Sequence, residues 1–370
     1  MTELRIEWFL QTFTPIDRFY GEKIFHEMLP KVCKELDPSR PYWPSSPYSM
    51  EGEDPNSAFI GDRHSWDNGY RNFYNDKAKF ASEYGVMSAP ALKSIEEYLP
   101  GEKIELNSEL WRYHCSFTDA NHKLMKEAFK EFYKDLEQIK IEGYILASQW
   151  IQGGMLKLSF EHYRRRKFLN SGVMFWMYSE SWGTVGWTIV DYYLRKKASY
   201  YFVKRGYDPI LASIKKEEDN KISVWVVNNL LSEIVGKLEL YMIAFDGSSE
   251  EKVKEMDIKV SPNVSHKYFE YCLPGLVVQE NYYYYVRFII KDDVLSENWF
   301  FANEWKKLNV PSCNVKYRIE NAEGNMYKLS VVADSFCQLF HIDEEEIERI
   351  EDNAFYLNQN KEKYVKFTLK

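Results

Sequence analysis

Cysteine is scarce in this 370-residue chain, and Cys33, Cys115, Cys272, Cys313 and Cys337 are odd in number and far apart, with no C-x-x-C spacing. A disulfide framework and a zinc site are both excluded by that pattern, and a reducing compartment fits it. The 7 histidines do not fall at ligand spacing, and the 17 glycines are scattered without a G-x-G-x-x-G or a phosphate loop. No metal, nucleotide or other cofactor is expected. No stretch approaches the roughly eighteen apolar residues of a membrane span, and Met1 to Glu7 carries charges where a signal peptide needs an apolar core. The expectation is a soluble, cytoplasmic protein that does not enter a membrane. A basic excess is also lacking: 48 Lys and Arg against 56 Asp and Glu give a net charge of -8, which argues against nucleic acid as a partner. The one dense basic run, Arg164 to Lys167, reads as a solvated helix face, and so does the acidic run Asp343 to Glu346.

What the chain has in quantity is apolar and aromatic side chain, 45% and 17% of residues, enough for a large core in two or three domains. Apolar residues from Phe19 to Leu36 recur every three or four positions, predicting an amphipathic helix over 16–36 that Asp37-Pro38 ends. Short strands are expected at Tyr42-Trp43, around His64 to Trp66, over 78–84 and over Val173 to Tyr178, with helices over 90–99 and within 121–168. Strands alternating with helices predict βα units on a parallel sheet, here four of them, or half of an eight-stranded barrel. From Pro209 the period changes to two, in Ile222 to Val227, Lys237 to Ala244 and Tyr283 to Ile290, which predicts antiparallel sandwich strands. The tyrosine run then packs inward rather than forming a sugar platform. Val315 to Ile319, Met326 to Val332 and Tyr364 to Leu369 form a last small β-rich unit. The expected class is α/β plus all-β: a partial (β/α)8 barrel, about its last four βα units, over 1–206, an immunoglobulin-like β-sandwich over 207–302, and a small sandwich-like domain over 303–370.

The segment Lys79-Phe80-Ala81-Ser82-Glu83-Tyr84-Gly85 sets a carboxylate at the end of a short strand just before a glycine. Sugar-cleaving barrels place a nucleophile in that way, although a Glu beside Gly is more often a solvated turn residue. Four further segments come with it in order: Tyr42-Trp43-Pro44-Ser45-Ser46-Pro47, Gly61-Asp62-Arg63-His64-Ser65-Trp66-Asp67, Ser148-Gln149-Trp150-Ile151-Gln152, and Glu161-His162-Tyr163-Arg164. Together they resemble the second half of β-mannosidases of glycoside hydrolase family 2, from about residue 15 to residue 205, with a looser likeness in the all-β tail.

The resemblance implies a retaining glycosidase that releases terminal β-D-mannose from oligosaccharides through a covalent intermediate on Glu83. It implies Ser45, His64, Trp66, Trp176 and Trp182 as substrate contacts, and it leaves metal out. The family's acid/base follows an Asn shortly before the helix that begins here near Ile16; Thr2-Glu3 sits at a comparable place, and Glu7 is a rival alignment. Where relatives commonly read Trp-Gln-Xaa-Asn-Asp, this chain has Trp176-Met177-Tyr178-Ser179-Glu180. The family's first four barrel strands and the domains before them have no counterpart here, so the expectation is a portion of a longer protein, or a chain that pairs with itself or with the missing half as a separate polypeptide. Two other readings stay open: a non-catalytic carbohydrate-binding or assembly module, and a β-galactosidase or β-glucuronidase specificity.

Overall fold

The computed structural model describes residues 21–49, 53–66, 75–106, 108–116, 129–130 and 139–370. The chain divides into two compact units, 1–84 with 166–176, and 85–165 with 177–370.

In the first unit a helical stretch opens with a π-helical turn, Ile24–Met28, and continues as α1, Leu29–Leu36, where Asp37 caps it. None of its residues is buried. Two short strands, β1 (Arg63–His64) and β2 (Ala81–Glu83), pair in parallel, with His64 opposite Glu83. The segment 172–176 runs beside β2: Ala81 N donates to Gly172 O (3.0 Å), Met174 N to Ala81 O (2.8 Å) and Trp176 N to Tyr84 O (2.7 Å). The fourth expected strand is therefore no strand but a parallel bridge at Val173. Tyr42-Trp43 is not a strand either. Pro41, Pro44 and Pro47 remove the N–H groups a ladder there would need, and the Trp43 indole is turned to Asp62 instead.

In the second unit α2 (Leu92–Tyr98), α3 (Glu109–Tyr113), the 25-residue α4 (Ile141–Arg165) and α5 (Ala198–Gly206) supply the helices. The centre of α4 is buried, yet it carries Gln149 and Gln152, 4% and 0% exposed. Their amides replace water for irregular backbone. Gln152 accepts from Ser88 Oγ (2.7 Å) and Ser199 Oγ (2.6 Å) and donates to Val86 O and Trp187 O, while Gln149 donates to Ala89 O and accepts from Ala198 N. The basic run at the end of α4 is not a solvated face. Arg165 is 6% exposed and bonds Ser213 and Glu161, and Arg164 donates to Gly206 O (2.6 Å); Arg166, in the first unit, donates to Ala78 O (3.0 Å).

The sandwich is built as the alternation predicts. β3 (Ile210–Lys216), β4 (Lys221–Asn228) and β7 (Val264–Cys272) form one antiparallel sheet; β5 (Ile234–Ala244), β6 (Glu250–Val260), β8 (Tyr282–Ile290) and β9 (Asp293–Phe300) form the other, in the order β6-β5-β8-β9. Ile222, Val224 and Val226 of one sheet meet Leu238, Leu240, Val286 and Phe288 of the other in one core. Tyr283 and Tyr284 are fully buried, so the tyrosine run packs. A short helix, α6 (Leu276–Asn281), precedes β8. The last strands, β10 (Val315–Glu323), β11 (Met326–Ala333), β13 (Ile347–Ile350) and β15 (Lys363–Leu369), form a sheet in the order β10-β11-β15-β13, and β12 (Cys337–Phe340) pairs with β14 (Phe355–Leu357). The acidic run before β13 is only partly solvated, since Glu344 accepts from Tyr201 Oη (2.5 Å), Lys196 Nζ (3.1 Å) and Asn353 Nδ2 (2.9 Å). Among the described residues no helix is long and apolar enough to cross a membrane.

Candidate active site

The first unit concentrates its polar chemistry at the carboxyl ends of β1 and β2. In β2, Ala81 is fully buried, and the next two side chains, Ser82 and Glu83, both reach polar groups. Opposite them β1 delivers His64, whose peptide is clamped by Asn56: His64 N donates to Asn56 Oδ1 (2.8 Å) and Asn56 Nδ2 donates to His64 O (3.1 Å).

Asp62 is the hub of the group. Gly61 lies at φ +73°, and a Cβ there would overlap the Tyr48 carbonyl, so only glycine lets the chain pass Tyr48 this closely. Asp62 Oδ1 then accepts from Tyr48 N (2.9 Å) and Trp43 Nε1 (2.9 Å), and Oδ2 accepts from Ser46 Oγ (2.5 Å) and Ser82 Oγ (2.6 Å). Burial pushes its pKa up, but the four donors outweigh burial and hold the carboxyl below the usual aspartate range. Asp62 is a fixed anion.

That anion sets the tautomer of His64. Ser46 spends its single proton on Asp62, so it must accept from His64 Nε2, 3.0 Å away. Burial holds the His64 pKa below its ordinary value, against the pull of Glu83 and Asp62, and the ring is neutral with its proton on Nε2. The same nitrogen lies 3.7 Å from Glu83 Oε2. The other oxygen, Glu83 Oε1, accepts from Trp66 Nε1 at 2.9 Å. Glu83 is therefore a partly exposed carboxylate, 23% by side chain, with one oxygen oriented by an indole and the other beside a neutral imidazole.

Of the expected site residues, the structure brings Glu83, His64 and Trp66 together. Ser45 donates to Pro47 O (3.4 Å) within its own turn, and its neighbour Ser46 makes the contact with His64. Trp176 is 42% exposed and its backbone is fixed beside Tyr84. Glu3 and Glu7 lie outside the described residues. Trp182 belongs to the second unit, where it ends a ring stack: His114 is 4.8 Å from Trp182 and 4.5 Å from Tyr98. In that unit Glu180 Oε2 accepts from Thr188 (3.2 Å), Glu180 Oε1 is buried without a hydrogen-bond partner among the described residues, and burial pushes its pKa up to about 6. Asp62, Ser46 and Ser82 were missed as site residues, although each stands in a motif that carries the resemblance.

The first unit thus sets a carboxylate at a strand end, bonded to an indole and beside a histidine, and the second carries an antiparallel sandwich. Residues 220–307 match the family model of a Mannosidase Ig/CBM-like domain. Beta-mannosidase B of Aspergillus oryzae is 22% identical over 360 residues, covering 91% of this chain and 42% of that protein. The Emericella nidulans enzyme of the same name is 23% identical over 376 residues, covering 94% and 43%. Among solved structures, the beta-D-mannosidase of Dictyoglomus thermophilum superposes at a TM-score of 0.88 with 32% identity, over 95% of this chain and 43% of that one. The exo-chitosanase of Amycolatopsis orientalis, at TM-score 0.62 and 14% identity, shares the fold. The chain is thus similar, over nine-tenths of its length, to β-mannosidases. It spans less than half the length of these relatives, 42% and 43%.

Proposed function

We propose that this chain carries the nucleophile of a retaining glycoside hydrolase that releases terminal β-D-mannose from oligosaccharides. The observation that supports the reading is the setting of Glu83: partly exposed, at the end of a parallel strand, with Oε1 fixed by Trp66 and Oε2 accepting no hydrogen bond among the described residues. In the reaction Glu83 Oε2 attacks the anomeric carbon as the glycosidic C–O bond breaks, an acid protonates the leaving oxygen, and water then cleaves the glycosyl ester. The Trp66 N–H disperses charge on the carboxylate and orients its free lone pair. His64, neutral, spends its one N–H on Ser46 and offers a sugar hydroxyl the lone pair of Nδ1, and Trp176 offers an aromatic face. Asp62 and Ser46 hold His64 and do not react.

Glu3, with Glu7 as the rival alignment, is the acid/base candidate that this chain offers. The parallel segments β1, β2 and 172–176 are read as the last strands of a (β/α)8 barrel reaching residue 206, with the immunoglobulin-like domain over 207–302 and the small β domain over 303–370. Nitrophenol release from β-mannoside, β-galactoside and β-glucuronide tests the proposal, with Glu83→Ala as control. Mannoside turnover abolished by Glu83→Ala supports it. Preference for another glycoside refutes the sugar, and turnover that survives Glu83→Ala refutes the nucleophile.

A further inference from the structure

Strand β10 forms one edge of the carboxyl-terminal sheet, bonded to β11 on one side and to no strand on the other among the described residues. It is nine residues long, Val-Lys-Tyr-Arg-Ile-Glu-Asn-Ala-Glu, without proline or glycine to blunt it. An open edge of that length is a template for another strand. Its two faces say which. Across the sheet Ile319 is in register with Leu329 and Val365, and Tyr317 with Val331. Leu329, Val331 and Val365 are 4%, 1% and 1% exposed, whereas Ile319 and Tyr317 are 52% and 69% exposed. The core-facing side of the sheet thus runs past its cover and ends in the open at β10. On the opposite face Arg318 and Glu320 alternate in sign, 3.3 Å apart.

We propose that β10 pairs with β10 of a second copy of this chain, antiparallel about a two-fold axis through Ile319, so that one sheet continues across a homodimer. The register follows from faces and charges. Side chains keep their faces only when residues of like parity oppose one another. An axis through Arg318 sets Arg against Arg, one through Glu320 sets Glu against Glu, and one through Tyr317 sets Lys316 against Arg318. The axis through Ile319 sets Arg318 against Glu320 of the partner subunit, twice over, and Tyr317 against Asn321 of the partner subunit. It also joins the row Val365, Leu329, Ile319 to its own symmetry image, so the exposed Ile319 becomes the middle of a continuous apolar row. Such an interface is self-complementary and closes at two copies.

Sedimentation or light scattering on the full chain over a dilution series tests the pairing. The wild type should be a dimer, and Ile319→Lys a monomer. Arg318→Glu should weaken the dimer about tenfold or more, because two opposite-charge cross-strand pairs become like-charge pairs. The double variant Arg318→Glu/Glu320→Arg should recover it. A cooperative thermal transition and a wild-type far-ultraviolet circular dichroism spectrum show that each variant is folded. A monomeric wild type, a dimer indifferent to Arg318→Glu, or a double variant no tighter than the single one overturns the proposal.

Discussion

Replacing Asp62 by Asn tests how the site is held, because it keeps the shape of the side chain and removes only the charge and half of the acceptor capacity. Four hydrogen bonds converge on this carboxylate, at 2.5, 2.6, 2.9 and 2.9 Å, and the residue is 8% exposed. An amide oxygen at the Oδ1 position keeps Tyr48 N and Trp43 Nε1, but an NH2 group at the Oδ2 position meets two hydroxyls that were donating. Bonds to a charged acceptor contribute about 1.5–3 kcal/mol each and neutral ones about 1 kcal/mol, so losing the charge on four bonds, with the two serines able to rotate, should cost about 2–4 kcal/mol. Chemical denaturation followed by tryptophan fluorescence reads this directly. The pH dependence supplies a second readout. A carboxyl whose folded pKa is depressed gives stability that is full above the ordinary aspartate value, about 3.9, and is lost as pH falls through the folded value. His64, depressed by burial, loses stability in the same direction, starting below about 6.5. The asparagine variant should keep the His64 window and lose the lower one. A loss under about 0.5 kcal/mol, the range of an ordinary surface change, would refute the hub role of Asp62.

Trp66→Phe keeps the ring and deletes the donor to Glu83 Oε1, so kcat on a nitrophenyl β-mannoside should fall roughly ten- to a hundredfold with thermal stability unchanged; an unaltered kcat would show that the indole does not orient the carboxylate. Glu180, its pKa raised to about 6 by burial against the pull of Lys197 and Thr188, gives stability that is full below the ordinary glutamate value of about 4.3 and lost as pH rises through about 6. Denaturation midpoints between pH 4 and pH 8 should show that decline in the wild type and not in Glu180→Gln. Gly183→Ala would drive a methyl group into the Tyr98 ring, which cannot retreat because it stacks on His114 at 4.5 Å; a stability loss of about 1–3 kcal/mol is expected, and a neutral result in thermal unfolding would contradict the packing.

The β-rich part of the fold was legible because its signal is local. Strand alternation such as Ile222, Val224, Val226 puts every second residue into the core whatever the rest of the chain does. The Ser82-Glu83 strand end was legible for the same reason, with its glycine just after it. Tyr42-Trp43 misled, since two aromatic residues read as strand while three flanking prolines and an indole turned to Asp62 decide otherwise. The basic run after Tyr163 misled in the opposite sense. Charge density says surface, but Ser213 and the Gly206 carbonyl are brought to Arg165 and Arg164 only by tertiary folding. Asp62 was hidden because its importance is convergent: its four donors come from Trp43, Ser46, Tyr48 and Ser82, and no spacing in one dimension announces their meeting. Ser45 and Ser46 are adjacent and alike, and only the turn decides which of them reaches His64.

The nucleophile can be tested without waiting for the acid/base. A 2-deoxy-2-fluoro-β-D-mannosyl fluoride carries a leaving group that departs as fluoride with no proton, so attack by Glu83 Oε2 on the anomeric carbon breaks the C–F bond and leaves a slowly hydrolysed mannosyl ester. Intact-mass and peptide mass spectrometry of the full chain after incubation should show one fluoromannosyl group on the peptide holding Glu83, and none in Glu83→Gln. Label on another carboxylate, or a well-folded wild-type chain that takes up none, would contradict the assignment of Glu83.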